Sequence, residues 1–128
     1  MPVSLVEALG AAEEATQDRM TIYVPSRDRD GQPVAFEAWV RRTMALLSEV
    51  GGGATRMPAA EGVWLNRETG SAISEAVVLV YSYVDGDALA ARLVDVRRLL
   101  HQMGRQLNQG EVVVEFSGVF YKIRDFDP

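Results

Sequence analysis

Ser74-Glu-Ala-Val-Val-Leu-Val-Tyr-Ser-Tyr-Val84 is a β-branched and aromatic run with no glycine or proline, closed by Asp85-Gly86-Asp87, and its reading decides the fold. It is longer than a common strand of about 5–6 residues and so predicts a central strand, with the aspartates placed to cap a following helix. Side chains alternate along a strand, so Val77, Leu79, Tyr81 and Tyr83 form one set and Ala76, Val78, Val80 and Ser82 the other. Both sets are mostly apolar. Helices packed on one side would therefore leave an apolar, aromatic side in need of a cover.

Downstream, Leu89, Leu93, Val96, Leu100, Met103 and Leu107 recur at steps of four and three residues. That stripe predicts one amphipathic helix, ended by Asn108-Gln109-Gly110. Residues 112–116 and 119–123 predict a last strand with a hairpin or bulge at Ser117-Gly118. Upstream, residues 54–57 and 62–65 predict a long strand interrupted at Pro58, and residues 66–70 turn the chain. Phe36, Trp39, Val40, Met44 and Leu47 predict a helix that stops at Gly51-Gly52-Gly53, and residues 20–25 predict the first strand. Ser4 and Glu7 have capping-box spacing for an N-terminal helix, yet Leu5, Leu9 and Ala12 give it a thin apolar stripe.

The order strand, helix, strand, strand, helix, strand is that of an α+β, ferredoxin-like βαββαβ fold: an antiparallel sheet with two helices on one face. An N-terminal helix and a C-terminal strand extension are added to it. Residues 1–19 are expected to form an N-terminal helical arm and residues 20–128 a single domain.

The 128 residues are 48% apolar and 24% charged, which suits one globular domain with a packed core. There is no cysteine, which excludes disulfides, thiolate metal sites and a cysteine nucleophile. The first residues, Met-Pro-Val-Ser-Leu-Val-Glu, lack the basic region of a secretory signal, and no run is long enough for a membrane helix. A soluble, cytoplasmic protein with no membrane partner is expected. A net charge of −5 repels a phosphate backbone, so nucleic-acid binding would need a local basic patch. Arg41 with Arg42, and Arg92, Arg97, Arg98 and Arg105 on one helix, are the candidates, and a solvated helix face is their ordinary reading.

Thr21-Ile-Tyr-Val24, Gly31, Trp39, Gly53-Ala-Thr55, Gly62-Val-Trp64, Ser74-Glu75 and the aliphatic residues 77–80 together resemble a family of small bacterial domains of unknown function. In that family a Gly-x-Thr strand and a Gly-x-Trp turn lead to an aliphatic strand. The resemblance spans residues 20–123 and implies the fold without an activity. The run His101-x-Met-Gly-Arg105-x-x-Asn-Gln-Gly-Glu-Val112 is also similar to short intracellular bacterial proteins of uncharacterised role.

Three groups of residues are candidates for function. The first is the uncovered sheet face, with Leu79, Tyr81 and Tyr83 and, on the first strand, Tyr23. Aromatics on central strands also stack bases in RNA-recognition domains, but the acidic balance opposes that reading and the sequence signatures of those domains are missing. The second is His101, Arg105 and Asn108 on one helical stripe, with Glu111 opening the next strand. An imidazole beside a guanidinium and a carboxylate suits proton transfer, while capping and surface pairing is the ordinary reading of the same residues. The third is Arg56, Glu61, Trp64, Asn66 and Arg67 around Gly62, where Trp64 and Arg56 are interface-type residues, although a strand tryptophan is ordinarily core.

With one weak catalytic set, a contact module is favoured over an enzyme, with a second copy or another protein as partner and with no cofactor or metal. The alternative is a small-molecule-binding or isomerase-like enzyme of dimeric α+β barrel type. Its pocket would be lined by Tyr23, Tyr81 and Tyr83, with His101 or Glu111 as the acid-base group.

Overall fold

In the computed structural model, which describes residues 4–15 and 17–128, strand β1 (Asp18–Pro25) runs antiparallel to the second half of β4 (Ser71–Val84). The register sets Ile22 opposite Val80 and Tyr23 opposite Leu79, and this pair forms the middle of the sheet. On the far edge of β1 lies β5 (Val112–Phe116), followed by β6 (Val119–Ile123). On the far edge of β4 lie β2 (Thr55–Arg56) and β3 (Ala60–Asn66), two pieces of one strand parted at Pro58. The amide of Met57 still bonds to the Leu79 carbonyl at 2.9 Å, so pairing runs up to the break, and it resumes beyond it with Ala60 opposite Val77. Every ladder is antiparallel.

Helix α2 (Phe36–Gly51) and the pair α3 (Gly86–Ala91) and α4 (Leu93–Gln106) cover one face. Period-two burial follows from this. Met20, Ile22 and Val24 of β1, Val78, Val80 and Val84 of β4, and Val112 and Val114 of β5 are buried, and Val40, Leu47, Val96, Leu100 and Met103 from the helices join them in one core. The architecture is ferredoxin-like, with a sixth strand appended at the β5 edge.

Four features differ from the sequence expectation or refine it. The single helix expected along the Leu89–Leu107 stripe is broken at Arg92, whose φ of −120° ends α3 and begins α4 while its guanidinium binds Glu49 of α2 and Asp95. Leu93, which an unbroken stripe would bury, is 52% exposed. The N-terminal helix α1 (Leu5–Leu9) has the expected Ser4 cap but spans only five residues and buries none of them. The expected last strand is a hairpin, because Ser117 and Gly118 both have positive φ, as tight two-residue hairpin turns require. Trp64, ordinarily a core residue in such a strand and also a candidate interface residue, stands exposed on a ribbon. Residues 71–76 of β4 pair with β3 alone, since β1 joins β4 only from Val77, so this part of the hairpin projects past the sheet with Val63, Trp64 and Leu65 open to solvent.

A candidate interface on the open sheet face

Opposite the helices, strand alternation sets out a continuous row of side chains. Val77, Leu79, Tyr81 and Tyr83 come from β4, Arg19, Thr21 and Tyr23 from β1, Glu115 from β5 and Phe120 from β6. The rings are ordered among themselves. Tyr81 and Tyr83 meet edge to face at 6.1 Å, and Tyr23 stacks on Phe120 at 5.9 Å with 16° between the planes. The Arg19 guanidinium lies 4.0 Å from the centre of the Tyr81 ring, a cation–π contact that keeps a charge at the centre of the patch. Arg19 also donates to the Thr21 hydroxyl at 3.3 Å.

The Tyr23 hydroxyl donates to Glu115 at 3.3 Å. Burial raises the Tyr23 phenol above the usual tyrosine range, the Glu115 carboxylate adds to the shift, and Arg19 partly offsets it. Two residues before Val77, Glu75 points to the same face, where burial raises its carboxyl and Arg27 opposes the shift. The face is thus aromatic at its centre, with carboxylates at two places along it. Among the described residues no helix or loop lies across it. The helix α1 buries nothing, and the chain after β6 turns to the other side of the sheet.

The expected second cluster separates into three parts. His101 is buried and accepts the Asp127 amide on Nδ1 at 2.8 Å, while Arg105 donates to the Asp127 carbonyl. Asn108, with φ of 48°, instead donates to Asp28 and Asp30, and Glu111 accepts from Arg124 at 3.0 Å. His101 lies on the helix side of the sheet and Tyr23 on the opposite side, so within one protomer they do not line one pocket.

The third cluster is not assembled. Arg56 forms a two-pronged pair with Glu37 of α2 at 2.9 and 3.0 Å, Glu61 accepts from Ser74, and Asn66 closes the turn by accepting the Glu68 and Thr69 amides. Of the arginines considered as a basic patch, Arg42 stacks on Trp39, and Arg92, Arg97 and Arg98 are paired with carboxylates.

Sequence reasoning missed Arg19, Phe120 and Glu115. The period-two rule carried across the β5–β6 hairpin would have placed Phe120 and Glu115 on the open face. It also missed an apolar groove of about 590 Å³ on the helix side, bounded by Leu89, Leu93, Val96, Phe116, Tyr121 and Ile123. That groove lies between α3 and α4 on one side and the β5–β6 hairpin on the other, a juxtaposition the strand order alone does not disclose.

No family model and no curated protein matches this sequence. Solved structures match the fold. The chain is similar to a phage SAM lyase in complex with S-methyl-5′-thioadenosine, at 18% identity and a TM-score of 0.62 over 88% of this chain and 92% of that one. It is also similar to a phage SAM lyase in the apo state, at 21% identity and a TM-score of 0.58 over 88% and 95% of the two chains. A divalent cation tolerance protein, CutA1 of Thermus thermophilus, aligns at 18% identity and a TM-score of 0.48 over 88% of both chains. The likeness to the lyase structures is one of fold. Among the described residues no helix is long and apolar enough to cross a membrane.

Proposed function

We propose that this chain is a small cytoplasmic contact module that self-associates through its open sheet face. The observation that carries the reading is the aromatic row from Tyr83 through Tyr81 and Tyr23 to Phe120, exposed at Tyr83 and Phe120 and half-buried between them, and ordered in two ring pairs before any partner arrives. Tyrosine rings bring large contact area at small loss of rotamer freedom, which is why they are enriched at interface centres. The projecting β3–β4 ribbon supports the same reading. A two-stranded ribbon is marginal in water, and this one exposes Val63 and Leu65 on one side and Trp64 on the other. A second copy of the chain offers matching apolar surface to both features.

Light scattering tests it. The native chain should have a mass above that of the monomer, and Tyr81→Glu, which sets a charge in the middle of the row, should reduce the mass to one protomer with the fold retained. A native chain that stays monomeric at high micromolar concentration would remove the reading.

A second reading is favoured by the Tyr23–Glu115 pair, a phenol held by a carboxylate on an aromatic floor. In it, two or more copies enclose a small-molecule site at this face, and the fold shared with a phage SAM lyase makes SAM and S-methyl-5′-thioadenosine the ligands to try first. Aromatic rings beside carboxylates suit a cationic ligand such as a sulfonium. Titration calorimetry with both compounds on the native chain and on Glu115→Gln separates the readings. Binding that Glu115→Gln weakens supports the enzyme type, and no heat with either compound leaves contact as the function.

A further inference from the structure

On the helix side, far from the open face, the residues after β6 fold back onto one stripe of α4. Arg97, His101, Gly104 and Arg105 sit at i, i+4, i+7 and i+8 and so share a side of the helix. Each meets a different part of the same dipeptide. Phe126 seats on Gly104, where a β-carbon would overlap its ring, and meets the His101 ring edge to face at 6.1 Å and 88°. The Asp127 carboxylate accepts two hydrogen bonds from Arg97 at 2.8 and 2.9 Å, with the His101 Nδ1 3.4 Å from one of its oxygens. The Asp127 amide donates to His101 Nδ1, and its carbonyl accepts from Arg105. One aromatic side chain, one carboxylate, one N–H and one C=O are therefore all read.

We infer that this stripe is a recognition site for an aromatic–aspartate peptide segment, and that Phe126-Asp127 is an internal occupant which a partner's segment of the same chemistry displaces. Two observations make the occupant releasable. Residues 124–128 have no regular secondary structure, and the ion pair that holds them is largely in water, with side-chain exposures of 64% for Arg97 and 49% for Asp127. The chemistry also selects its partner. The paired guanidinium requires an anion, the His101 Nδ1 requires an N–H donor, and the glycine seat requires a flat ring one residue before it. A substitution at Gly104 would close the seat to either occupant, which accounts for a glycine in the last turn of α4.

The test is a fluorescence-polarisation titration of a labelled peptide of residues 124–128, Arg-Asp-Phe-Asp-Pro, against full-length proteins. The tethered segment competes at an effective concentration of about millimolar. A full-length chain carrying Phe126→Ala and Asp127→Ala should therefore bind the peptide roughly ten-fold more tightly than the native chain, or better. Adding Gly104→Leu to that open variant, or replacing the peptide's phenylalanine with alanine, should abolish binding. Equal binding by native and open chains, or none by a folded open chain, would overturn the proposal. Should the open variant fail to fold, the same peptide in excess over the isotope-labelled native chain decides the matter by NMR. Displacement predicts that the Asp127 amide resonance moves to its free position, and an unmoved resonance at millimolar peptide refutes it.

Discussion

The backbone of Gly51, at the end of α2, lies directly on the hydroxyl of Ser82 in β4. No β-carbon fits there: one built on Gly51 would overlap that hydroxyl and come within 2.7 Å of the Tyr83 carbonyl oxygen. The Ser82 hydroxyl in turn donates to the Gly53 carbonyl, so a polar residue amid Val78, Val80 and Val84 is satisfied by the helix terminus that rests on it. This is how α2 is fixed in height over the sheet.

Gly51→Ala should therefore destabilise the fold by about 1–3 kcal/mol, the usual range for overpacking a close contact. Gly53→Ala is the control, because nothing lies within 4 Å of a β-carbon there. It should be neutral or stabilising by about 0.4–1 kcal/mol through the unfolded state. Urea midpoints for the two variants decide the point, and similar losses at both sites would show that the close approach does not set the packing.

The two faces of the sheet should answer differently to truncation. Ile22 is fully buried beneath the helices, and Ile22→Ala should lose about 2–5 kcal/mol in urea unfolding. Tyr83 is half exposed on the open face and among the described rings meets only that of Tyr81, edge to face, so Tyr83→Ser should cost the monomer about 0.5–1.5 kcal/mol, the usual worth of such a pair, while reducing self-association. A Tyr83→Ser chain that loses as much stability as Ile22→Ala in dilute, monomeric solution would show that the ring serves the fold of its own protomer rather than a partner.

Ultraviolet difference titration should show a tyrosine component ionising above the usual range, from Tyr23. Its phenol is raised by burial first and by Glu115 second. Because the folded-state value lies above the unfolded one, the associated stability is complete below the unfolded value and is lost as pH rises through the folded value. Glu115→Gln should move the component to lower pH without abolishing the shift, and Tyr23→Phe should delete it. A titration unchanged in Glu115→Gln would mean that the 3.3 Å contact carries no charge effect.

The main strands and helices were legible because they rest on periodicity. The alternation in residues 77–84 separated the buried valines from Tyr81 and Tyr83, and the Pro58 interruption was visible as a breaker between two short apolar runs. Cross-chain relations were not legible. The stripe from Leu89 to Leu107 has no glycine or proline near Arg92, so its break, set by ties to Glu49 and Asp95, left no local mark. For His101 and Arg105 the sequence left surface pairing beside a weaker proton-transfer reading, and their real partners were hidden because nothing in sequence says that residues 126 and 127 return to that helix. The one available sign was Gly104, a helix-weakening residue placed where a ring would later rest. Trp64 misled for a related reason: its strand pattern is sound, but the strand projects past the layer that would have buried it.

Glu75 offers a test of how apolar the open face is in solution. Burial raises its carboxyl above the usual glutamate range, and Arg27 only partly opposes this, so the folded chain disfavours the charged form more than the unfolded chain does. For a group raised on folding, the stabilising contribution is whole below the unfolded value and disappears as pH climbs through the folded one. At neutral pH the charged Glu75 is therefore a liability that Glu75→Gln removes. The variant should be more stable than native at pH 7, by less than about 1 kcal/mol because solvent screens a half-exposed group. Below the ordinary carboxylate range both chains carry a neutral side chain, and the difference should vanish. Melting curves at the two pH values check it. A variant less stable than native at pH 7 would mean that the pairing with Arg27 outweighs burial and that water reaches this end of the face freely.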